Sequence, residues 1–245
     1  MSRTRKERSW FKRRRSVRDL QALTFIGEGY EVAQYQLQAA VFAGLSPTVA
    51  SRFVRRALQT GAIVVERLGG IGINRLRLTP AGLDALAASG QSVERVFTPR
   101  RGVAAKDLQH TLRINDLRVV LAASQRPPTE LLPAWALQRS LILDAVPDLL
   151  AIWHQTNGSK VVLACEIDLG TESLTASFLP KLRRLARSIQ ESGAARGEVL
   201  VLTQGRRRFE RLLNAASELT CLMVAELPEG TGSRGLAALR DRLQV

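Results

Sequence analysis

The stretch VVLACEIDLGTES, residues 161–173, runs apolar for five residues and then closes on two carboxylates. Read as a strand, it sets Val161, Leu163, Cys165, Ile167 and Leu169 on one side and Val162, Ala164, Glu166 and Asp168 on the other, because successive strand side chains point to opposite faces. A strand apolar on both faces is buried on both, as in the layered sheets of α/β proteins. Glu166 and Asp168 then share a face at its end, where burying two unpaired carboxylates is expensive. They must line a site or meet cationic partners.

Outward from this strand, apolar runs and helical patterns alternate. RSLILDAVPDLLAIW, 139–153, predicts a strand pair, and a helix is expected from Leu174 to Glu191. EVLVLT, 198–203, reads as a strand, RRRFERLLNAAS, 206–217, as a helix and CLMVAEL, 221–227, as a strand. Before them, KDLQHTLRINDLRVVLAAS, 106–124, carries a helical apolar stripe that RPPTELLPAW, 126–135, breaks. The expectation is a mixed α/β domain over 107–245, with its sheet largely covered.

Three acids and a lysine stand together in this pattern. Asp148 follows Pro147 at the edge of one strand, Glu166 and Asp168 end the next, and Lys181 lies on the following helix beside Arg183 and Arg184. Carboxylates from adjacent strand ends are the hard oxygen ligands that Mg²⁺ or Mn²⁺ takes. Such an ion would activate a water and offset charge growing on a phosphodiester, with the lysine assisting. The competing reading is structural: DLGTES can begin a helix, with Asp168, Thr171 or Ser173 as cap and Glu172 near its positive end, while Glu166 pairs with Lys181 or an arginine. Spacing leaves both open.

The amino-terminal half has another rhythm. SVRDLQALTFIG and EVAQYQLQAAVF show helical spacing, and GLSPTVASRFVRRALQTG opens with Ser46 as cap and Pro47 in the first turn. Two short strands around a Gly-rich turn follow, then a helix from TPAGLDAL, capped by Thr79. Helix, helix, basic helix, hairpin, helix is the order of a winged helix-turn-helix over 19–90, whose third helix enters the major groove. Base contacts are expected from Thr48, Ser51, Arg52 and Arg55, and phosphate contacts from Arg56, Arg67 and Arg75. Residues 91–106 lose periodicity and read as a linker.

Charge agrees with a nucleic-acid partner. Thirty-six Lys and Arg against 22 Asp and Glu give a net charge of +14. Nine of the basic residues and one Glu fall within residues 1–18, a segment expected to be a disordered basic arm, with Arg13, Arg14 and Arg15 contacting phosphates. Trp10 and Phe11 interrupt it and are suited to stacking on bases or to packing on the folded body. Hydrophobic content of 45% describes a globular chain. No apolar run approaches the roughly 20 residues of a membrane helix, and the charged start is unlike a secretory signal. Cys165 and Cys221 sit in apolar runs and read as reduced thiols of a cytoplasmic protein. The two histidines are far apart and both tyrosines fall in the amino-terminal half, which argues against a histidine-cluster or covalent-tyrosine relaxase. No phosphate-loop spacing is present.

HTLRINDLRVVL (110–121), VPDLL (146–150) and CEIDLGTESLTASFLPKLRR (165–184) resemble the replication-relaxation family, which groups with mobilisation-protein-C-type plasmid relaxases. The resemblance implies a winged helix followed by a restriction-endonuclease-like domain of the PD-(D/E)xK type. It makes Asp148 the first aspartate and Glu166 the central acid of that motif, within a catalytic set of Asp148, Glu166, Asp168 and Lys181. The metal ligands would be Asp148, Glu166 and Asp168. Where a lysine is usual, two residues after Glu166, this chain has Asp168, and Lys181 stands in from the helix. The implied function is a Mg- or Mn-dependent DNA nickase of a plasmid or mobile element, acting on double-stranded DNA with mobilisation or replication proteins, and with a second copy of itself as a further partner. The alternative is a non-catalytic transcription or replication regulator that keeps the nuclease-like domain as a scaffold or dimerisation module.

Overall fold

The computed structural model describes residues 16–67, 73–99, 102–137 and 144–244. Trp10, Phe11, Arg13, Arg14 and Arg15, the tip of the expected hairpin and residues 139–143 of the expected strand pair lie outside them. The chain divides into two compact units, one running through Asn115 and one from Asp116 onward. No helix among the described residues is long and apolar enough to cross a membrane.

In the first unit, helix α1 (Val17–Glu28) starts where Ser16 accepts a hydrogen bond from the Asp19 amide. A two-residue strand, β1 (Val32–Ala33), precedes α2 (Gln34–Val41), so Val32 belongs to a sheet and not to the helix its spacing predicted. Helix α3 (Pro47–Gln59) takes Ser46 as its cap and Pro47 in its first turn. Strands β2 (Ile63–Arg67) and β3 (Asn74–Leu78) form an antiparallel pair, and α4 (Pro80–Ala87) follows with Thr79 capping the Gly82 amide. The sheet order is β1-β3-β2. Its core gathers Leu23, Ile26, Leu37, Phe42, Phe53, Ile63, Leu76 and Leu86. Deleting a ring such as Phe53 would cost about 3–5 kcal/mol.

Two features of this unit escaped the sequence. Tyr30 adopts a left-handed φ of 60°, costing roughly 1–2 kcal/mol for a side chain of that kind. The buried Asn115 amide bonds the carbonyls on both sides of it, Gly29 at 3.0 Å and Glu31 at 2.8 Å, and so holds the turn. The expected linker also packs down: Val96 is in the core, and the Phe97 and Val103 amides donate to the Gly27 carbonyl and the Glu31 carboxylate. The long helix α5 (Ala105–Ala122) runs through the boundary between the units.

The second unit is built on a five-stranded sheet in the order β4-β5-β6-β7-β8. Strand β4 (Glu130–Pro133), where the sequence reading saw only a break, is antiparallel to β5 (Leu149–His154). Pro133 is tolerated because β4 is an edge strand. A short helix, α6 (Ala134–Leu137), follows β4. Strand β6 (Lys160–Asp168) is antiparallel to β5 and parallel to β7 (Arg196–Thr203), which is parallel to β8 (Leu222–Glu226). Parallel neighbours need crossovers, supplied by α7 (Leu179–Glu191) and α8 (Arg206–Ala215). A single π-helical turn, Leu174–Phe178, leads into α7. A last helix, α9 (Gly232–Leu243), was not anticipated.

From Ala164 to Asp168 every residue of β6 is buried, as the opening stretch required. Its even-numbered face packs Val162 and Ala164 against Leu182, Leu185 and Ile189 of α7 and Leu212 of α8. Gly197 allows this closeness, since a Cβ there would meet Ile189 Cγ2 at 2.2 Å. Cys165 is buried and Cys221 half-buried, both free thiols.

Candidate functional site

The antiparallel register of β5 and β6 sets Leu149 opposite Cys165, which brings Asp148 beside Glu166. Asp148 is anchored there: its Oδ2 accepts the Ile167 amide at 2.7 Å and its carbonyl accepts the Ala134 amide. Glu166 is 2% exposed. Its Oε2 accepts from Lys181 Nζ at 2.7 Å, while Oε1 is buried with no hydrogen-bond partner. Lys181 arrives from the first turn of α7, positioned by the π-helical turn that Ser173 caps.

The electrostatics follow from that enclosure. Burial, with the charge of Asp148 added, pushes the Glu166 carboxyl well above its ordinary pKa against the pull of Lys181. Burial disfavours the Lys181 ammonium, but the charges of Glu166 and Asp148 outweigh it and raise its pKa above the ordinary value. Cys165, enclosed beside them, has its thiol pKa pushed up by burial and by the same two acids, and it stays protonated.

Asp168 goes elsewhere. It shares the even-numbered face of β6, yet Arg208 of α8 takes both its oxygens, Nε to Oδ2 at 2.7 Å and Nη2 to Oδ1 at 3.1 Å. Thr203 Oγ1 donates to Oδ2 at 2.8 Å and the Gly170 amide to Oδ1 at 2.9 Å. Four donors satisfy the carboxylate, so its reading as third metal ligand is replaced by a buried ion pair. Among the described residues no group of three or more His, Cys, Asp or Glu is placed to hold a metal ion. The structure thus joins Asp148, Glu166 and Lys181 and sets Asp168 apart. Arg208 and Thr203 were missed by sequence reasoning; Arg208 is one of three consecutive arginines, and nothing local distinguishes it.

In the first unit, Thr48, Ser51, Arg52, Arg55 and Arg56 are all exposed along α3. Thr48, Ser51, Arg52 and Arg55 follow three- and four-residue spacing and make one stripe. Ser51 accepts from Gln34, and Arg56 pairs with Asp19 at 3.0 Å. Arg67, at the end of β2, is exposed. Arg75 is not a free phosphate ligand: with Arg77 it bridges Glu66 and the buried Glu31. The hydrogen bond from Arg75 holds the Glu66 carboxyl below its ordinary pKa, while burial lifts that of Glu31 despite the Val103 amide and both arginines. A charge-paired arginine of this kind braces the hairpin.

Compared with known proteins, the chain matches a family model described as replication-relaxation over residues 23–200. No curated protein matches it.

Proposed function

Because the chain belongs to the replication-relaxation family, we propose that it is a DNA-binding protein of a plasmid or other mobile element that nicks DNA in replication or mobilisation. The observation that carries the reading is the convergence of Asp148, Glu166 and Lys181 at the adjoining ends of β5 and β6, with Glu166 Oε1 buried and bare.

The first unit finds the DNA. Its order of elements is that of a winged helix-turn-helix, with α3 as the helix for the major groove and β2–β3 as the wing. The stripe of Thr48, Ser51, Arg52 and Arg55 faces the bases, and Arg56, Arg67 and the basic arm face phosphates.

The second unit acts on the backbone in the manner of a PD-(D/E)xK domain. Asp148 and Glu166 are the residues that would hold Mg²⁺ or Mn²⁺, and two carboxylates suffice when water and phosphate oxygens complete the shell. A bare buried oxygen beside a second carboxylate fits such an ion better than it fits an apolar core. The bound ion would supply an activated water and charge neutralisation at the phosphodiester. Lys181, charged throughout the physiological range, holds negative charge on the scissile phosphate and replaces the lysine that Asp168 displaces from the motif.

A second reading is favoured by the same side chains. Asp168 is fully engaged by Arg208, and Glu166 by Lys181 at one oxygen, as in a regulator that has kept the scaffold without the chemistry. Supercoiled plasmid incubated with Mg²⁺ or Mn²⁺ separates the two. Relaxation by the wild type that disappears in both Asp148→Ala and Glu166→Ala supports the nickase; salt-sensitive DNA binding with no relaxation supports the regulator.

A further inference from the structure

Helices α7 and α8, which cover the carboxylate face of the second sheet, carry more positive charge than their surroundings neutralise. Together they hold eight Lys or Arg and two Glu. Four of the eight are paired: Lys181 with Glu166, Arg208 with Asp168, Arg183 with Glu218 at 2.6 Å and Arg206 with Glu210 at 2.8 Å. The other four, Arg184 and Arg187 on α7 and Arg207 and Arg211 on α8, are exposed and make no ion pair among the described residues.

Residues three or four apart on a helix share a face, so each of these pairs is a two-guanidinium unit on the solvent side of its helix. Both helices bury their apolar stripes in the same core, Leu182, Leu185 and Ile189 from one and Leu212 from the other. The four guanidiniums therefore stand on the outer surface of one layer. Like charges gathered without partners destabilise the compact state through repulsion, and a polyanion relieves that cost.

We propose that this arginine surface is a second DNA-binding face that takes the phosphodiester backbone of the duplex. The guanidinium fork matches phosphate oxygens in a bidentate way that an ammonium does not. The surface also has a direction. Lys181, in the first turn of α7, reaches Glu166, so a backbone lying along α7 leads to the cluster of Asp148 and Glu166. The proposal rests on DNA as the partner, as read above, and is independent of cleavage. It divides the labour: α3 selects the place, and α7 with α8 presents the strand.

The test is fluorescence anisotropy of a labelled short duplex with the full-length protein over a salt series. The variant Arg184→Gln/Arg187→Gln/Arg207→Gln/Arg211→Gln should bind more weakly, with the slope of log affinity against log salt reduced by up to about 3.6, since each lost phosphate contact removes roughly 0.9. The same four positions changed to Lys should recover most of the slope, which separates lost charge from lost folding. Wild-type affinity and slope in the glutamine variant, with binding weakened in Arg52→Ala/Arg55→Ala, would overturn the second face and leave DNA binding by α3 standing. A wild-type protein that binds no duplex would overturn both.

Discussion

Arg208 clasps Asp168 through two nitrogens, Nε at 2.7 Å from Oδ2 and Nη2 at 3.1 Å from Oδ1, across forty residues of sequence. Asp168 is almost wholly enclosed, so removing the cation alone strands a buried charge. Arg208→Ala should cost about 3 kcal/mol in urea denaturation, and the double variant Asp168→Asn/Arg208→Met distinctly less, because breaking a buried pair is worse than replacing it. Equal losses in the single and double variants would refute the pairing.

Glu166 gives the pair at the neighbouring position a pH signature. Its folded pKa lies well above the unfolded value near 4.5, so folding binds the proton more tightly. The stabilising contribution is complete below that unfolded value and is lost as pH rises through the folded one. Denaturation between acid and neutral pH should show the wild type losing stability relative to Glu166→Gln as pH rises. Lys181→Met, which strips the nearest cation, should steepen that loss. Parallel wild-type and Glu166→Gln profiles would exclude an elevated carboxyl.

Arginines of the first unit should fall into two groups. Arg52→Ala and Arg55→Ala are exposed changes that leave melting temperature unaltered and weaken DNA binding, by about 1–3 kcal/mol wherever a base edge is lost. Arg75→Ala removes a partner of the fully buried Glu31, so its effect should register in thermal unfolding even without DNA. A stable Arg75→Ala variant impaired only in DNA binding would return that residue to phosphate contact.

Asn115 should matter to stability far more than its place on a helix suggests. Asn115→Ala takes one donor each from the Gly29 and Glu31 carbonyls on either side of the left-handed Tyr30, and Gly29 keeps only the Glu31 amide. Leaving a buried group unsatisfied costs about 1–3 kcal/mol, and a loss in that range is expected by chemical denaturation. Adding Tyr30→Gly, which removes the conformational penalty, should recover part of it.

The elements legible in the sequence were those that announce themselves locally. Ser46 and Thr79 cap the helices that begin beside them, and the doubly apolar run before Glu166 is a strand buried on both faces. The shared face of Glu166 and Asp168 follows from strand geometry, while the pairing of Glu166 with Lys181 is one of the two readings that spacing leaves open. What stayed hidden depends on partners distant in sequence. Asp168 could be assigned away from a metal only by knowing where Arg208 arrives. Arg75 reads as a phosphate contact because Glu31, forty-four positions earlier, gives no sign that it will be buried beneath it. Strand β4 was obscured by Pro133, which an edge permits and an interior strand would not.

The π-helical turn at Leu174–Phe178 carries one more residue than an α-helical turn would. Excising a single residue there would let the segment close as an α-helical turn, and since the wider turn had absorbed that residue, the face α7 presents beyond it would be unchanged. The Lys181 ammonium would keep its reach to Glu166. The extra residue is thus a length of chain the segment can lose without moving the cation at its strand ends.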